Sequence, residues 1–371
     1  MKVEKEIAGI TLPFVAGVAF MSWYGCSACQ CPGLSSALTF TMISLLTLTL
    51  LHPSSRHISA RNTKLMIGLC MAFCGMSCVL TSDILAIGQN SSGSIIGSIR
   101  TLGLMAGKTI ESIDFRNPDT NAVIKALIIG DRSDIPGHVT DAFRRSGASH
   151  ILALSGLHLG IIYGILNASL SFIGNTPTAR KIRSVLIVIA CGLYVSATGA
   201  GASIVRAFLF ILLGETAKSI GRFKSTGTIL MASLLIHLTV TPEAIRDVGF
   251  QLSYAAMAGI AFIFPPLQRF WPEEDGKSRV KGPLKWIWNT AALSISCQIT
   301  TGPLAYLHFG TFPVYFLLTN LIALPLTGIM IPAAVATTLL TAFGWCPEIL
   351  TRATEALVTA LSEALEIIAS I

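Results

Sequence analysis

Residues 314–343 read VYFLLTNLIALPLTGIMIPAAVATTLLTAF, a run without a single Lys, Arg, Asp or Glu. A helix needs about 20 apolar residues to cross a hydrocarbon core about 30 Å thick, so this run is a membrane span, with Pro325 or Pro332 expected to break it. The rest of the chain has the same character. Hydrophobic residues make up 52% of the sequence, charged residues only 12%, and mean hydropathy is +0.69. An average soluble domain is about 25% charged, and a water-facing fold could not cover itself with so little.

Further apolar runs place spans near 7–25, 35–51, 65–87, 150–173, 184–198, 203–217, 226–240, 248–264 and 287–305. The expected fold class is all-α: a polytopic transmembrane helix bundle of about ten spans with amphipathic surface helices. The chain divides into an N-terminal three-span region (1–88), an extracytoplasmic amphipathic segment (89–149), a transmembrane core (150–345) and an amphipathic tail (346–371) that carries Glu355, Glu363 and Glu366.

The net charge of +7 points to nucleic acid or merely to membrane topology, and its distribution decides which to weigh first. Lys2 and Lys5; Arg56, Arg61 and Lys64; Arg180, Lys181 and Arg183; Lys218, Arg222 and Lys224; and Arg269, Lys277, Arg279, Lys281 and Lys285 fall in alternate loops and account for 16 of the 26 basic residues. The opposite short loops hold Arg246. The positive-inside rule therefore puts the N-terminus in the cytoplasm and segment 89–149 outside. The first apolar stretch lacks a small-residue cleavage site and reads as an anchor. Segment 89–149 is nearly neutral and is no basic patch in itself. Ile95, Ile96, Ile99, Leu102, Leu104 and Ile110, and then Val123, Ile124, Leu127 and Ile128, recur at helical spacing, which predicts amphipathic helices lying on the membrane or on the core.

Nine cysteines invite a metal reading, above all Cys26, Cys29 and Cys31 in an external loop and Cys70, Cys74 and Cys78 on one helix face. Neither set has a His or carboxylate to complete it, and thiols that pack as small apolar groups, with a disulfide in the loop, are the competing reading. Gly103-Leu-Met-Ala-Gly107-Lys108-Thr109 approaches a phosphate-binding loop but has three residues between its glycines instead of four, inside a helical pattern, so an amphipathic helix is the better account. No cofactor is expected.

The most distinctive passage is Gly130-Asp131-Arg132-Ser133, then Phe143-Arg144-Arg145-Ser146-Gly147, then His150-Ile-Leu-Ala-Leu-Ser155-Gly156-Leu-His158-Leu-Gly160. Gly156, Gly160 and Gly164 stand four apart, as on a small-residue helix-packing face, while His150, Ser155 and His158 present polar groups on the other side. Ser155 beside His158 suggests nucleophilic catalysis, but it lacks an orienting acid and the preceding glycine of a nucleophile elbow; a polar cavity lining competes with that reading.

This passage resembles the signature of the ComEC family of competence proteins, channels that bring single-stranded DNA into bacteria during natural transformation. In that family a GDRS-type motif precedes an HLLAISGLH-type helix. Val205-Arg206-Ala207, Asp247 to Ala255, and Pro303 to Gly310 followed by Asn320 and Pro325-Leu326 fit the same pattern, so that the resemblance covers roughly residues 100–345. It implies an inner-membrane, multi-pass conduit for single-stranded DNA, with membrane lipids around it, an extracytoplasmic DNA receptor and a cytoplasmic ATPase or helicase as partners, and homo-oligomerisation left open. Larger members add an external OB-like domain and many a metallo-β-lactamase-like domain. Segment 89–149 is too short and too helical for the first, and no His-x-His-x-Asp-His cluster occurs, so the expectation is a minimal channel without enzymatic activity.

A path for a polyanion needs polar or basic walls that would be unfavourable against lipid. Ser155, His158, Arg206, Gln251, Gln298 and Asn320 are the candidates for lining it, and Asp131, Arg132, Arg144, Arg145 and His150 for its receiving mouth. Arg206 is the sharpest, because Glu215 on the same helix is nine residues away and on the opposite face. The competing functions are a secondary transporter or lipid-handling protein, and an intramembrane Ser/His hydrolase.

Overall fold

A computed structural model of the chain describes residues 2–24, 60–86, 94–174, 176–221, 225–270, 281–310 and 312–370. The expected span 35–51, the cysteines Cys26, Cys29 and Cys31, and the basic residues Arg56, Arg222, Lys224, Lys277 and Arg279 lie outside the described residues. Every regular element among the described residues is helical, and the elements fall into two compact units, Met1–Ser92 with Phe223–Tyr254, and Gly93–Arg222 with Ala255–Ile371.

In the first unit, α1 (Lys2–Tyr24) packs on α2 (Ala60–Ala86) and on α9 (Thr226–Val240). The α1/α2 contact is closest where glycine leaves room: a methyl group at Gly17 would stand 1.9 Å from the carbonyl oxygen of Ala72, and one at Gly75 would stand 2.2 Å from that of Phe14. Phe14, Val18 and Cys70 are buried there. Ser225 caps α9 by accepting from the backbone N–H of Thr228 at 3.3 Å and donates to Glu4 of α1.

The second unit contains α3 (Ser94–Glu111), α4 (Pro118–Ile128), α5 (Gly137–Arg145), α6 (Gly156–Ser169), α7 (Pro177–Ala197) and α8 (Ala202–Ser219), followed later by α11 (Lys281–Phe309), α12 (Phe316–Ala342) and α13 (Glu348–Ser370). The division between the units falls within α10 (Val248–Ala258), which continues through a π turn, Gly259–Ile263, into Phe264–Gln268. At that turn a methyl on Gly259 would meet the Ser296 carbonyl oxygen of α11 at 2.3 Å.

The main core of this unit gathers around the short α4. Val123, Ile124 and Leu127 are at most 1% exposed and cluster with Phe143 of α5, Met330 and Ala334 of α12, and Val358, Leu361 and Leu365 of α13. The C-terminal helix therefore contributes its apolar stripe to the same core as segment 89–149. A smaller core joins α6, α7 and α8 through Leu159, Ile187, Cys191 and Ile204. Gly199 and Ala200, at φ +83° and +52°, turn α7 into α8 as the tight hairpin that Gly199-Ala200-Gly201 predicts. The passage that approaches a phosphate loop lies inside α3, as helix.

Four stretches among the described residues are long and apolar enough to cross a membrane: Glu4–Trp23, Gly156–Ile173, Val248–Gln268 and Phe316–Ala342. The other expected spans among the described residues fall on stretches that are shorter, carry more charge or, as in α11, hold more uncharged polar residues. Within α2 the apolar stretch is Ile67–Val79. Thr226–Val240 has 15 residues and rises only about 22 Å; α7 opens with Arg180, Lys181 and Arg183, and α8 carries Arg206, Glu215 and Lys218. Against expectation, α12 runs unbroken through Pro325 and Pro332. Membrane helices tolerate proline where neighbouring helices shield the freed carbonyls, and α12 packs against α13, α11 and α6.

Among the described residues the glycine stripe of α6 makes a contact only at Gly156. A methyl on Gly156 would touch Ala207 at 3.4 Å, whereas Gly160 and Gly164 are exposed and meet nothing within 4 Å among the described residues. The close approaches among the described residues are made by Gly17, Gly75, Gly103 and Gly259. Overpacking such contacts costs about 1–3 kcal/mol. Gly75→Val and Gly259→Val should therefore lower the melting temperature of the detergent-solubilised protein, while Gly160→Ala leaves it unchanged or raises it through better helix propensity. Equal melting behaviour in all three would refute the assignment.

Candidate functional site

The first element of the site is the loop that follows α4. Asn117 starts the helix by accepting from the backbone N–H of Asp119 at 2.9 Å, and Pro118 occupies the first position, where no N–H is needed. At the far end the Tyr194 hydroxyl of α7 donates to the Ile128 carbonyl at 2.6 Å. Gly130, at φ +87°, then turns the chain in a way that disfavours any side chain. Asp131 Oδ1 accepts from the backbone N–H of Ser133 at 3.0 Å and from its hydroxyl at 2.8 Å. Lys125 Nζ stands 2.6 Å from Glu111, 2.7 Å from Asp134 and 3.3 Å from Asp131 Oδ2, with its side chain only 12% exposed. Hydrogen bonds to Asp134 and then Glu111 hold the Lys125 ammonium above its ordinary range. Ser133, and after it Lys125, holds Asp131 below the usual carboxylate range; Lys125 and then Ser133 do the same for Asp134.

Of the residues expected at the receiving mouth, Asp131 is thus consumed by the loop itself. The Arg132 side chain is exposed and makes no hydrogen bond or ion pair among the described residues, and the same holds for the Arg145 side chain. Arg144 pairs with Asp141 at 3.0 Å. His150 sits on a one-turn helix, Ser149–Leu152, with Nδ1 3.2 Å from the Gly147 carbonyl. Gly147, at φ +81°, approaches Pro313, and Thr319 donates to the Ser146 carbonyl at 2.6 Å, so this corner is docked on the start of α12.

A single helix over 150–173 would put His150 and His158 on one face, but α6 begins at Gly156. Ser155 is extended and serves as its cap: its hydroxyl accepts from the backbone N–H of Leu157 at 3.3 Å, and His158 Nδ1 accepts from the backbone N–H of Ser155 at 3.2 Å. The Ser155 hydroxyl also lies 3.0 Å from His158 Nδ1. The Ser/His pair seen in the sequence is therefore a capping box, and the two histidines are separated by extended chain. His158 is fully buried, and its Nε2 has no hydrogen-bond partner among the described residues.

Arg206 on α8 is fully buried as well, and the contact between Gly156 and Ala207 sets the start of α6 beside it. Gln298 on α11 and Asn320 on α12 are half-buried; Asn320 donates to Ser294 at 3.2 Å, while Gln298 Nε2 and Asn320 Oδ1 are buried atoms without a hydrogen-bond partner among the described residues. Gln251 belongs to the first unit and donates to the Ile245 carbonyl at 2.9 Å. Phe250 and Tyr254 pack with His237, at ring-centroid distances of 4.6 Å between the first two and 5.1 Å from Phe250 to His237.

Two features escaped sequence reasoning. Lys125 was one charge among thirteen in a neutral segment, and only the fold brings Glu111 and the 131–134 loop around it. At the other end of α8, Glu215 is buried and accepts from Ser184 at 2.6 Å, Tyr163 at 2.7 Å and Lys218 at 2.8 Å, beside a cavity of about 220 Å³. The Glu215–Lys218 pair was legible from its i,i+3 spacing; Tyr163 and Ser184 were not.

Residues 127–371 match the sequence model of a family described as Competence protein. ComE operon protein 3 of Bacillus subtilis (strain 168) is 30% identical over 227 residues, which is 60% of this chain and 27% of that protein. The uncharacterized protein YcaI of Escherichia coli (strain K12) is 24% identical over 221 residues, covering 58% of this chain and 28% of the relative. The chain thus spans less than a third of the length of these curated relatives. No solved structure matches. The family match begins within α4 and takes in the Gly130 loop, the Ser155 cap, Arg206 and the whole of α13.

If Ser155 is a cap, Ser155→Ala should lower stability by about 1 kcal/mol and Ser155→Asn should not, since Asn caps equally well but has no hydroxyl to attack with. A melting series of the two variants checks this, and equal losses would contradict it. The Lys125 cluster predicts a stability window. Asp131 and Asp134 contribute fully above about pH 4, their unfolded value, and lose the contribution as pH falls through their lowered folded values; Lys125 contributes below about pH 10 and loses it as pH rises through its raised value. Chemical denaturation against pH should show a plateau between those limits, and Lys125→Met should flatten both shoulders.

Proposed function

The chain belongs to the competence protein family, and from that premise we propose that it forms a conduit for single-stranded DNA across the bacterial cytoplasmic membrane during natural transformation. The observation that carries the reading is the set of polar atoms enclosed in a helical membrane bundle. His158 Nε2, Gln298 Nε2 and Asn320 Oδ1 are buried without hydrogen-bond partners among the described residues, and Arg206 is buried beside the α6 start. A dry, unpaired polar atom costs about 1–3 kcal/mol, and polar groups at membrane depth that face protein mark the routes of ions and polar substrates. An Arg suits a phosphodiester, because its planar fork binds two oxygens at once.

The proposed orientation has the N-terminus in the cytoplasm and segment 89–149 outside, on the strength of the loop charges. An extracytoplasmic receptor would deliver DNA, and a cytoplasmic ATPase or helicase would supply energy. The protein itself acts without catalysis in this reading.

Transformation frequency measured beside membrane abundance tests it. Arg206→Lys, Arg206→Ala and His158→Gln should each lower uptake per molecule by about tenfold or more, the equivalent of about 1.4 kcal/mol, with Ala the most severe. Reduced abundance with normal uptake per molecule would make these residues structural. Normal transformation in a deletion strain would remove the conduit reading and favour a secondary transporter.

A further inference from the structure

We infer that Lys125 is a positioning residue: it engages the acids of the Gly130–Asp134 loop so that neither pairs with Arg132, which is left to meet a phosphodiester anion. This rests on the conduit reading above. Taken as a peptide, the loop is a poor receiver of a polyanion, because Asp131 and Asp134 flank Arg132 and would either pair with it or repel the ligand. The fold engages both acids away from Arg132. Lys125 stands 2.7 Å from Asp134 and 3.3 Å from Asp131, and Glu111 completes its surroundings at 2.6 Å. The remaining oxygen of Asp131 is occupied by the backbone N–H and hydroxyl of Ser133. Arg132 is left exposed and unpaired among the described residues.

Residue type and burial agree with this division of labour. An ammonium carries three donors on a compact charge, one for each of three carboxylates arriving from different directions, whereas a guanidinium is planar and favours paired oxygens. Lys125 is 12% exposed and faces the acids, so its own charge is not offered to a ligand. Arg132 has the opposite geometry. Of its neighbours on the same stretch, Arg144 is tied to Asp141 and Arg145 is exposed and unpaired among the described residues, giving a second contact point of the same kind.

The test titrates a fluorescent single-stranded thymidine oligonucleotide against the full-length protein in nanodiscs over a range of salt. Arg132→Gln should weaken binding and reduce the slope of log affinity against log salt by about 0.7, the value for one phosphate contact on a single strand. Lys125→Met should weaken binding by about threefold, the scale of exposed charge interactions, and reduce the slope in the same sense. Adding Asp131→Asn and Asp134→Asn to Lys125→Met should restore both affinity and slope although no cation has been returned. A merely structural Lys125 would lower the folded fraction, leave the slope of the remaining molecules unchanged and gain nothing from the two amides. Wild-type affinity and slope in Lys125→Met overturn the inference. So does failure of the wild-type protein to bind the oligonucleotide, and the transformation frequency of a deletion strain then shows whether the conduit reading falls with it: loss of transformation keeps that reading, normal transformation ends both.

Discussion

A polar group carried into hydrocarbon has no solvent to turn to, and this constraint organises the chain. Its threonines and serines answer by bonding back to their own helix: Thr327 to the Ala323 carbonyl, Thr338 to that of Ala334, Ser296 to that of Ala292. Thr337 and Thr354 meet across α12 and α13 at 2.9 Å, and buried Glu215 gathers three donors from three helices. Against that background, buried atoms of His158, Gln298 and Asn320 find no partner among the described residues, as do those of Thr11, Thr120, Asn121 and Asn289; only the first three belong to the residues that the sequence assigns to a polar path.

The helical class and the passage that carries the family were legible from residues alone, because apolar run length and motif order are local properties. What a helix face meets is not local. The stripe of Val358, Leu361 and Leu365 reads as amphipathic in sequence, and an amphipathic stripe is equally suited to a lipid surface and to a core. The glycines show the same limit. Gly156, Gly160 and Gly164 advertise a seam by their spacing, whereas the real close approaches at Gly17, Gly75 and Gly259 each depend on a carbonyl oxygen of another helix. At the site, Ser155 and His158 were found because they are three residues apart. Their use as a cap follows from the extended backbone before Gly156, which no spacing rule foresees. Lys125 was missed for a related reason, since its three carboxylates come from residues 111, 131 and 134.

Membrane depth also separates charge that can act from charge that cannot. In the loop after α4 the acids are engaged by Lys125 and Ser133, so Arg132 stands exposed with no carboxylate paired to it among the described residues. Arg206 lies in the opposite regime, fully enclosed, where the low dielectric strengthens any interaction it makes.

The bond from Tyr194 to the Ile128 carbonyl has a mechanical side. It joins α7, in the hairpin that carries Arg206, to the last turn of α4, two residues before Gly130. The other end of that hairpin contact is pinned where Gly103 of α3 rests against the carbonyl of Ala197, one turn beyond Tyr194. A helix that slides along a neighbour settles one turn on, about 5.4 Å away, and neither a 2.6 Å bond nor a glycine notch survives that displacement. The hairpin and the surface loop therefore move as one lever or must part company, and any rearrangement that reaches Arg206 from within is felt two residues from the loop that bears Arg132.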